Sequence, residues 1–142
     1  APTRVMSERQ KGKFLSKLHR SGFVVEKISK KGKPKPVMLC CDRDFTKIYW
    51  YKKNQNKETG KKVEVSELTG VLRGLDPDPY FVEYFGTETL RKKVSFEDGP
   101  RCFALIWPER GSLDLRCQGE DVCDELVTGL RNLLGKLEPP AL

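Results

Sequence analysis

Short stretches rich in β-branched and aromatic residues fill most of the chain, and several of them alternate apolar and polar positions. Strands favour both features. Seven stretches meet this description, at residues 22–29, 37–42, 47–53, 62–66, 68–75, 101–107 and 112–117. Short polar turns separate most neighbours, as at residues 42–46 and 108–111. The pattern therefore predicts about seven strands in hairpin succession.

Two segments instead show the period of an amphipathic helix. Residues 6–20 predict a short basic helix that Ser7 caps, and its thin apolar stripe suits packing on its own domain more than lying on a membrane. Residues 120–137 predict a longer helix with an apolar face, early acids and late bases, an order that matches the helix dipole. We expect Pro139-Pro140 to end that helix. Residues 81–85 and 87–96 show no clear period.

The order of these elements indicates the fold class. No strand–helix alternation occurs, which argues against a parallel sheet. A strongly bent antiparallel sheet needs a cover over one open end, and the last helix can provide it. We expect a mainly β fold: a seven-stranded antiparallel β-barrel or sandwich, capped by a C-terminal α-helix and preceded by a short N-terminal helix. The predicted divisions are a basic helix and extension (1–21), the β domain (22–137) and a tail (138–142).

Length and charge narrow the possibilities. The chain has 142 residues, the size of one domain, and no apolar run approaches the roughly 20 residues of a membrane span. Its start lacks the apolar stretch of a signal peptide, and we expect both ends to be cut from a longer protein. The net charge is +7, and residues 1–62 hold 18 Lys and Arg against 5 Asp and Glu. This uneven distribution indicates an anionic partner for the first half.

The chain has few residues suited to catalysis or to metal binding. Its single histidine, His19, makes a zinc site improbable, and no Gly-rich phosphate loop or nucleophile motif is present. We therefore expect no enzyme activity, no metal and no cofactor. No Cys-x-x-Cys motif occurs, so we expect reduced and mostly buried thiols of an intracellular protein at Cys40, Cys41, Cys102, Cys117 and Cys123.

Residues 30–36, Lys-Lys-Gly-Lys-Pro-Lys-Pro, form what we call the lysine loop. It carries four ammonium groups and no acid, and we do not expect it inside a strand because both prolines lack an amide donor. By strand parity, Lys27 shares a face with Val25, and Lys35 shares one with Val37. If those faces line the barrel, both ammonium groups lie in its open mouth and can receive a phosphate.

Four motifs carry a resemblance to a known family: Leu72-Arg-Gly-Leu75, Arg101-Cys-Phe-Ala-Leu-Ile106, Ser112-Leu-Asp-Leu115 and Gly129-Leu-Arg-Asn-Leu-Leu134. In their order and spacing the chain resembles the pleckstrin-homology (PH) domain, and more narrowly that of phosphoinositide-specific phospholipases C. The match covers about residues 10–136, and Leu126 stands where that family usually has a tryptophan. Because the catalytic barrel and calcium-binding hands have no counterpart here, the resemblance implies a recognition module and not a lipase.

The resemblance also implies a site. In lipid-binding members, a lysine near the end of the first strand and a basic residue entering the second grip the ring phosphates, often with a third-strand base. Lys27 and Lys35 match the first two positions, and Lys52 or Lys53 the third. The expected ligand-binding residues are Lys27, Lys30, Lys31, Lys33, Lys35, Lys52 and Lys53. The implied partner is a phosphoinositide or acidic membrane lipid, met by a signalling module that is cytoplasmic and peripheral to the membrane.

Alternatives to lipid binding stay open at this point. The same fold can act as a scaffold for protein–protein contact or self-association within a larger cytoplasmic or cytoskeletal protein, with the lysines meeting an acidic protein partner. No nucleic acid partner is expected, because no such motif is present. We expect Arg91-Lys-Lys93 to be a solvated loop. We expect Phe81, Tyr84 and Phe85 to cover the barrel, and the alternative is an exposed patch for a protein partner.

Overall fold

A computed structural model of the chain describes residues 3–109 and 111–141. The parts of the predicted extension, hairpin turn and tail that fall on Ala1, Pro2, Arg110 and Leu142 lie outside these residues. One antiparallel sheet has the strand order β4-β3-β2-β1-β7-β6-β5. The strands are β1 (Phe23–Ile28), β2 (Lys35–Cys41), β3 (Lys47–Tyr51), β4 (Lys61–Glu64), β5 (Gly70–Arg73), β6 (Cys102–Trp107) and β7 (Gly111–Arg116). The helices are α1 (Glu8–Arg20), α2 (Glu88–Lys93) and α3 (Glu120–Leu134).

The predicted mainly β architecture is confirmed. All seven predicted strands are present, and each end lies within two residues of its predicted position. One boundary was predicted wrongly, because β2 begins at Lys35 and so includes Pro36. The proline is tolerated there because β3 pairs with β2 only from Met38 onward, so one edge of β2 is open at Pro36.

The core lies between the two halves of the bent sheet and under α3. β4 and β5 stand at the two edges of the sheet, and α3 packs beside β5 and β6. Burying a leucine such as Leu126 or Leu130 of α3 is worth about 2 kcal/mol. The principal buried side chains are Phe14, Leu18, Phe23, Val25, Val37, Leu39, Ile48, Trp50, Val63, Val71, Phe103, Leu105, Leu113, Leu115, Leu126, Val127 and Leu130.

Each long helix begins or ends for a local reason. The Ser7 hydroxyl accepts a hydrogen bond from the Gln10 amide, and the Gln10 side chain accepts one from the Ser7 amide, which caps α1 as predicted. The prediction that Pro139-Pro140 ends α3 was wrong. That helix ends at Leu134, because Gly135 adopts a left-handed conformation with φ of 67°. Among the described helices, none combines the length and apolar character needed to cross a bilayer.

The connection between β5 and β6 contains the least predictable structure. The six-residue helix α2 begins after Thr87, whose hydroxyl accepts a hydrogen bond from the Leu90 amide. Leu90 packs against Ile28 and Cys102 on the outer face of the sheet. The prediction that Phe81, Tyr84 and Phe85 cover the barrel was wrong, because these side chains are 40%, 51% and 50% exposed. The core is instead closed by α3, which packs beside β5 and β6.

The cysteines are buried, as predicted, and all five are free thiols. Burial raises the pKa of both Cys41 and Cys102 to about 12, so these two stay neutral near pH 7. Within residues 3–109 and 111–141, no cluster of His, Cys, Asp or Glu side chains is arranged to hold a metal ion.

Alanine substitutions at two glycines test the packing of α1 on α3. An added Cβ at Gly129 of α3 would lie 2.4 Å from ring atoms of Phe14, so we expect Gly129→Ala to lower the free energy of unfolding by about 1–3 kcal/mol. Gly12 of α1 has open space around it, and Gly12→Ala should raise stability by up to about 1 kcal/mol. Urea denaturation measures both. Equal stability of Gly129→Ala and wild type would contradict the close contact.

Candidate anion-binding site

The pairing of β1 with β2 brings Lys27 opposite Lys35. Two residues away along each strand, and on the same faces, buried Val25 pairs with buried Val37. Both lysines therefore continue a face that begins in the core and ends at the rim of the barrel. Lys27 is half-buried and Lys35 is exposed.

Two further lysines approach this pair from β3 and β4. Lys61 is the β4 residue that pairs with Trp50 of β3, and Lys52 directly follows β3. The pKa of Lys27 lies below its ordinary value, first because of burial and then because of the charges of Lys61, Lys35 and Lys52. We call these four residues, Lys27, Lys35, Lys52 and Lys61, the lysine cup.

Lys61 is the member of the cup that sequence reasoning missed. It shares a strand face with Val63, which is 8% exposed and belongs to the core. The same parity argument that selected Lys27 and Lys35 would have selected it. Lys52 lies two residues after Trp50 and therefore shares its face of the strand, whereas Lys53 lies on the opposite face.

The other predicted lysines surround the cup. Lys30, Lys31 and Lys33 are exposed in the lysine loop, and Gly32 between them has φ of 87°. Lys53 lines an open depression of about 540 Å³ together with Lys35, Pro36, Lys52 and Asn54. Across the described parts of the chain, none of the seven predicted lysines forms an ion pair with a carboxylate within 4.0 Å. Their charges are therefore available to a ligand.

One acidic side chain, that of Asp114, lies on the other side of the sheet within electrostatic reach of Lys27. Asp114 lies on the face of β7 opposite Leu113 and Leu115, under the β5–β6 connection. Its carboxylate accepts hydrogen bonds from the hydroxyls of Thr87 and Ser112. Burial raises its pKa, and those hydrogen bonds and the charges of Lys30 and Lys27 oppose the rise. Asp114 is therefore engaged with hydroxyl groups, and it does not pair with a lysine of the cup.

The second basic cluster, Arg91-Lys-Lys93, lies in helix α2 and not in a loop as expected, and its two lysines are exposed to solvent. Arg91 forms an ion pair with buried Asp78 at 2.7 Å, and Lys92 forms one with Glu88 at 2.7 Å. Both cations have a carboxylate partner, which no lysine of the cup has within 4.0 Å among the described residues.

Comparison with solved structures identifies the fold. Inner membrane complex sub-compartment protein 1 from Toxoplasma gondii is 16% identical with a TM-score of 0.67, over 94% of this chain and 97% of that one. The PH domain of TgAPH is 10% identical with a TM-score of 0.57, over 92% and 94%. PLC21 of L. pealei is 9% identical with a TM-score of 0.59, over 92% of this chain and 16% of that one.

At identities this low the likeness shows the fold alone, and the chain has the pleckstrin-homology fold that its sequence motifs indicated. No protein-family model and no curated protein matches the sequence.

Repulsion within the lysine cup gives a stability prediction. Lys27→Met keeps the apolar stem and removes one of the four charges, so we expect it to raise the free energy of unfolding by up to about 1 kcal/mol at low salt, with a smaller gain at high salt. Lys62→Met, the neighbouring outward residue of β4, is the matched control and should have little effect. Denaturant titration at two salt concentrations measures both variants.

The lowered pKa of Lys27 also predicts how the stability gained by Lys27→Met depends on pH. Below that pKa the wild-type amine is charged when folded, and it destabilises the fold. This penalty disappears as pH rises through the lowered pKa toward the ordinary value of 10.5, so the advantage of Lys27→Met should shrink there. A Lys27→Met variant less stable than wild type at every salt concentration would contradict the repulsion.

Proposed function

We propose that this PH-fold chain is a non-catalytic recognition module for a phosphorylated lipid head group, or for the anionic membrane surface that carries one. The lysine cup and the lysine loop are the binding site. The observation that carries the proposal is geometric: Lys27 and Lys35 face each other at the rim of the barrel, and neither has a carboxylate within 4.0 Å among the described residues. The lowered pKa of Lys27, caused first by burial and then by the charges of Lys61, Lys35 and Lys52, supports the same interpretation. Gathered like charges raise the energy of the free protein, and a multiply charged anion relieves that cost.

The proposal gives the lysines two kinds of role. Lys27 and Lys35, which face each other across β1 and β2, hold the ring phosphates, and Lys52 and Lys61 complete the cup. The remaining exposed lysines act on the surrounding leaflet, where a basic residue near an anionic surface is worth about 1 kcal/mol. These are Lys30, Lys31, Lys33 and Lys53.

The presence of lysines and not arginines in the proposed site favours one kind of ligand. An ammonium group is a point charge and cannot make the bidentate fork of arginine, so several lysines favour a ligand that carries several phosphates close together. Pro34 and Pro36 remove two amide donors from the lysine loop and stiffen it. Selectivity in this proposal therefore comes from the spacing of the ammonium groups.

The proposed location is cytoplasmic and peripheral to a membrane. The charge distribution supports it, and so does the name of one structural neighbour, the inner membrane complex protein of Toxoplasma gondii. A tight acidic protein partner, found together with no response to vesicles, would instead favour the protein scaffold.

Vesicle binding tests the proposal directly. Lys27→Ala combined with Lys35→Ala should weaken sedimentation with phosphoinositide-containing vesicles at least about tenfold, from roughly 1 kcal/mol per lysine. Wild-type binding should also fall with salt. The control is Lys13→Ala combined with Lys62→Ala, which removes the same charge from exposed positions outside the cup. Undiminished sedimentation of the Lys27/Lys35 variant would show that the site is assigned wrongly.

Variants of two adjacent residues of β4 distinguish binding by the lysine cup from attraction by general surface charge. Lys61 shares the inward face of β4 with Val63, and Lys62 faces outward. We expect Lys61→Ala to weaken binding to the same vesicles about fivefold, from roughly 1 kcal/mol, and Lys62→Ala to weaken it less than twofold. Isothermal titration with the soluble head group measures the same difference without a membrane. Equal losses for the two variants would mean that only net charge matters.

A further inference from the structure

The connection between β5 and β6 exposes a run of apolar side chains, here called the apolar tip: Phe81, Val82, Tyr84 and Phe85. Val82 is 73% exposed, and Tyr84 and Phe85 are each about half exposed. The Phe81 and Tyr84 rings contact each other edge to face, with centroids 6.4 Å apart. Single exposed apolar residues are ordinary, but a contiguous patch of this kind usually marks a contact surface.

The backbone behind the apolar tip is held in place. Asp78 is 4% exposed, its amide donates to the Tyr84 carbonyl at 2.9 Å, and its carboxylate accepts from Arg91 at 2.7 Å. Arg91 also donates to the carbonyls of Phe85 and Gly86, at 3.2 and 2.8 Å. The apolar side chains are therefore presented to solvent by a braced turn, which lowers the entropy lost when they become buried.

The apolar tip lies next to the lysine loop. Lys30 and Phe81 line one cleft of about 220 Å³, together with Thr87. Lys92 is the main cause of the lowered pKa of Glu88, and Lys30 also contributes, which places the lysine loop within electrostatic reach of α2. Lys30 of the lysine loop and Phe81 of the apolar tip therefore border the same cleft.

We infer that the apolar tip enters the interfacial region of an anionic lipid bilayer while the lysine loop lies against its head groups; this rests on the proposed function. Apolar and aromatic side chains beside cationic ones suit that region, where one group enters the acyl boundary and the other meets phosphate. Stable attachment of a peripheral protein usually needs two such signals. Exposed Glu83, in the middle of the run, keeps the insertion shallow, because a carboxylate is costly in hydrocarbon.

Depth-dependent fluorescence tests the insertion. Val82→Trp should be quenched by brominated acyl chains in phosphatidylcholine vesicles that contain phosphatidylserine and a phosphatidylinositol bisphosphate. Val24→Trp is the matched control, because Val24 is also exposed, at 54%, but lies at the opposite end of β1 from the lysine loop. Quenching beyond that of wild type, with its native Trp50 and Trp107, should occur for Val82→Trp alone. Bound protein without such quenching would overturn the inference.

A binding measurement separates this inference from the proposed function. Val82→Ser combined with Phe85→Ser should weaken vesicle binding about tenfold, the effect of partly burying two apolar side chains, and Val24→Ser should not. If the tip variant binds like wild type while Lys27→Ala with Lys35→Ala does not, insertion is wrong and the proposed function stands.

If wild type binds no vesicles even at low salt, the proposed function itself fails, and the inference fails with it. A wild-type dimer that the tip variant dissociates, without quenching, would mean that a second copy of the chain covers the apolar tip, which also overturns the inference.

Discussion

The alternation of side chains along β1 and β2 is the constraint on which the rest of this molecule depends. Phe23 and Val25 must face inward for the barrel to have a core, and the next inward position on β1 is Lys27. Sliding β1 by one residue would turn every one of these side chains to the other face, so the register is strongly specified. Burial of the apolar positions thereby carries Lys27 to the rim, opposite Lys35, in spite of the repulsion between them.

The lysine cup differs in this respect from the other basic residues of the protein. Arg91 pairs with Asp78, Arg116 with Glu26, and Arg131, which is 2% exposed, with Asp76. In those places a cation supports the fold by bracing a loop, a strand pair or the last helix. In the cup the cations repel one another, and the proposed anionic ligand would relieve that repulsion.

The two faces of the sheet pack against different parts of the chain. The inner face and α3 supply the core, which leaves the β5–β6 connection free to pack on the outer face through Leu90. That connection carries the apolar tip to the side where Lys30 lies. Lys30 and the apolar tip thus border one cleft outside the core, and the inferred contact with a bilayer depends on this adjacency.

Local patterns in the sequence determined the seven strands, the capped start of α1 and the inward direction of Lys27 and Lys35, because each depends on side-chain period or on a single cap. Hairpin succession predicted the pairing of consecutive strands, whereas only the tertiary structure decided that β1 pairs with β7. Tertiary contacts also brought Lys61 of β4 within electrostatic reach of Lys27 of β1, although β3 and β2 separate the two strands in the sheet. They left one edge of β2 open at Pro36 and left the apolar tip exposed. Burial and charge contacts between distant segments depend on the pairing of strands, which no local period encodes.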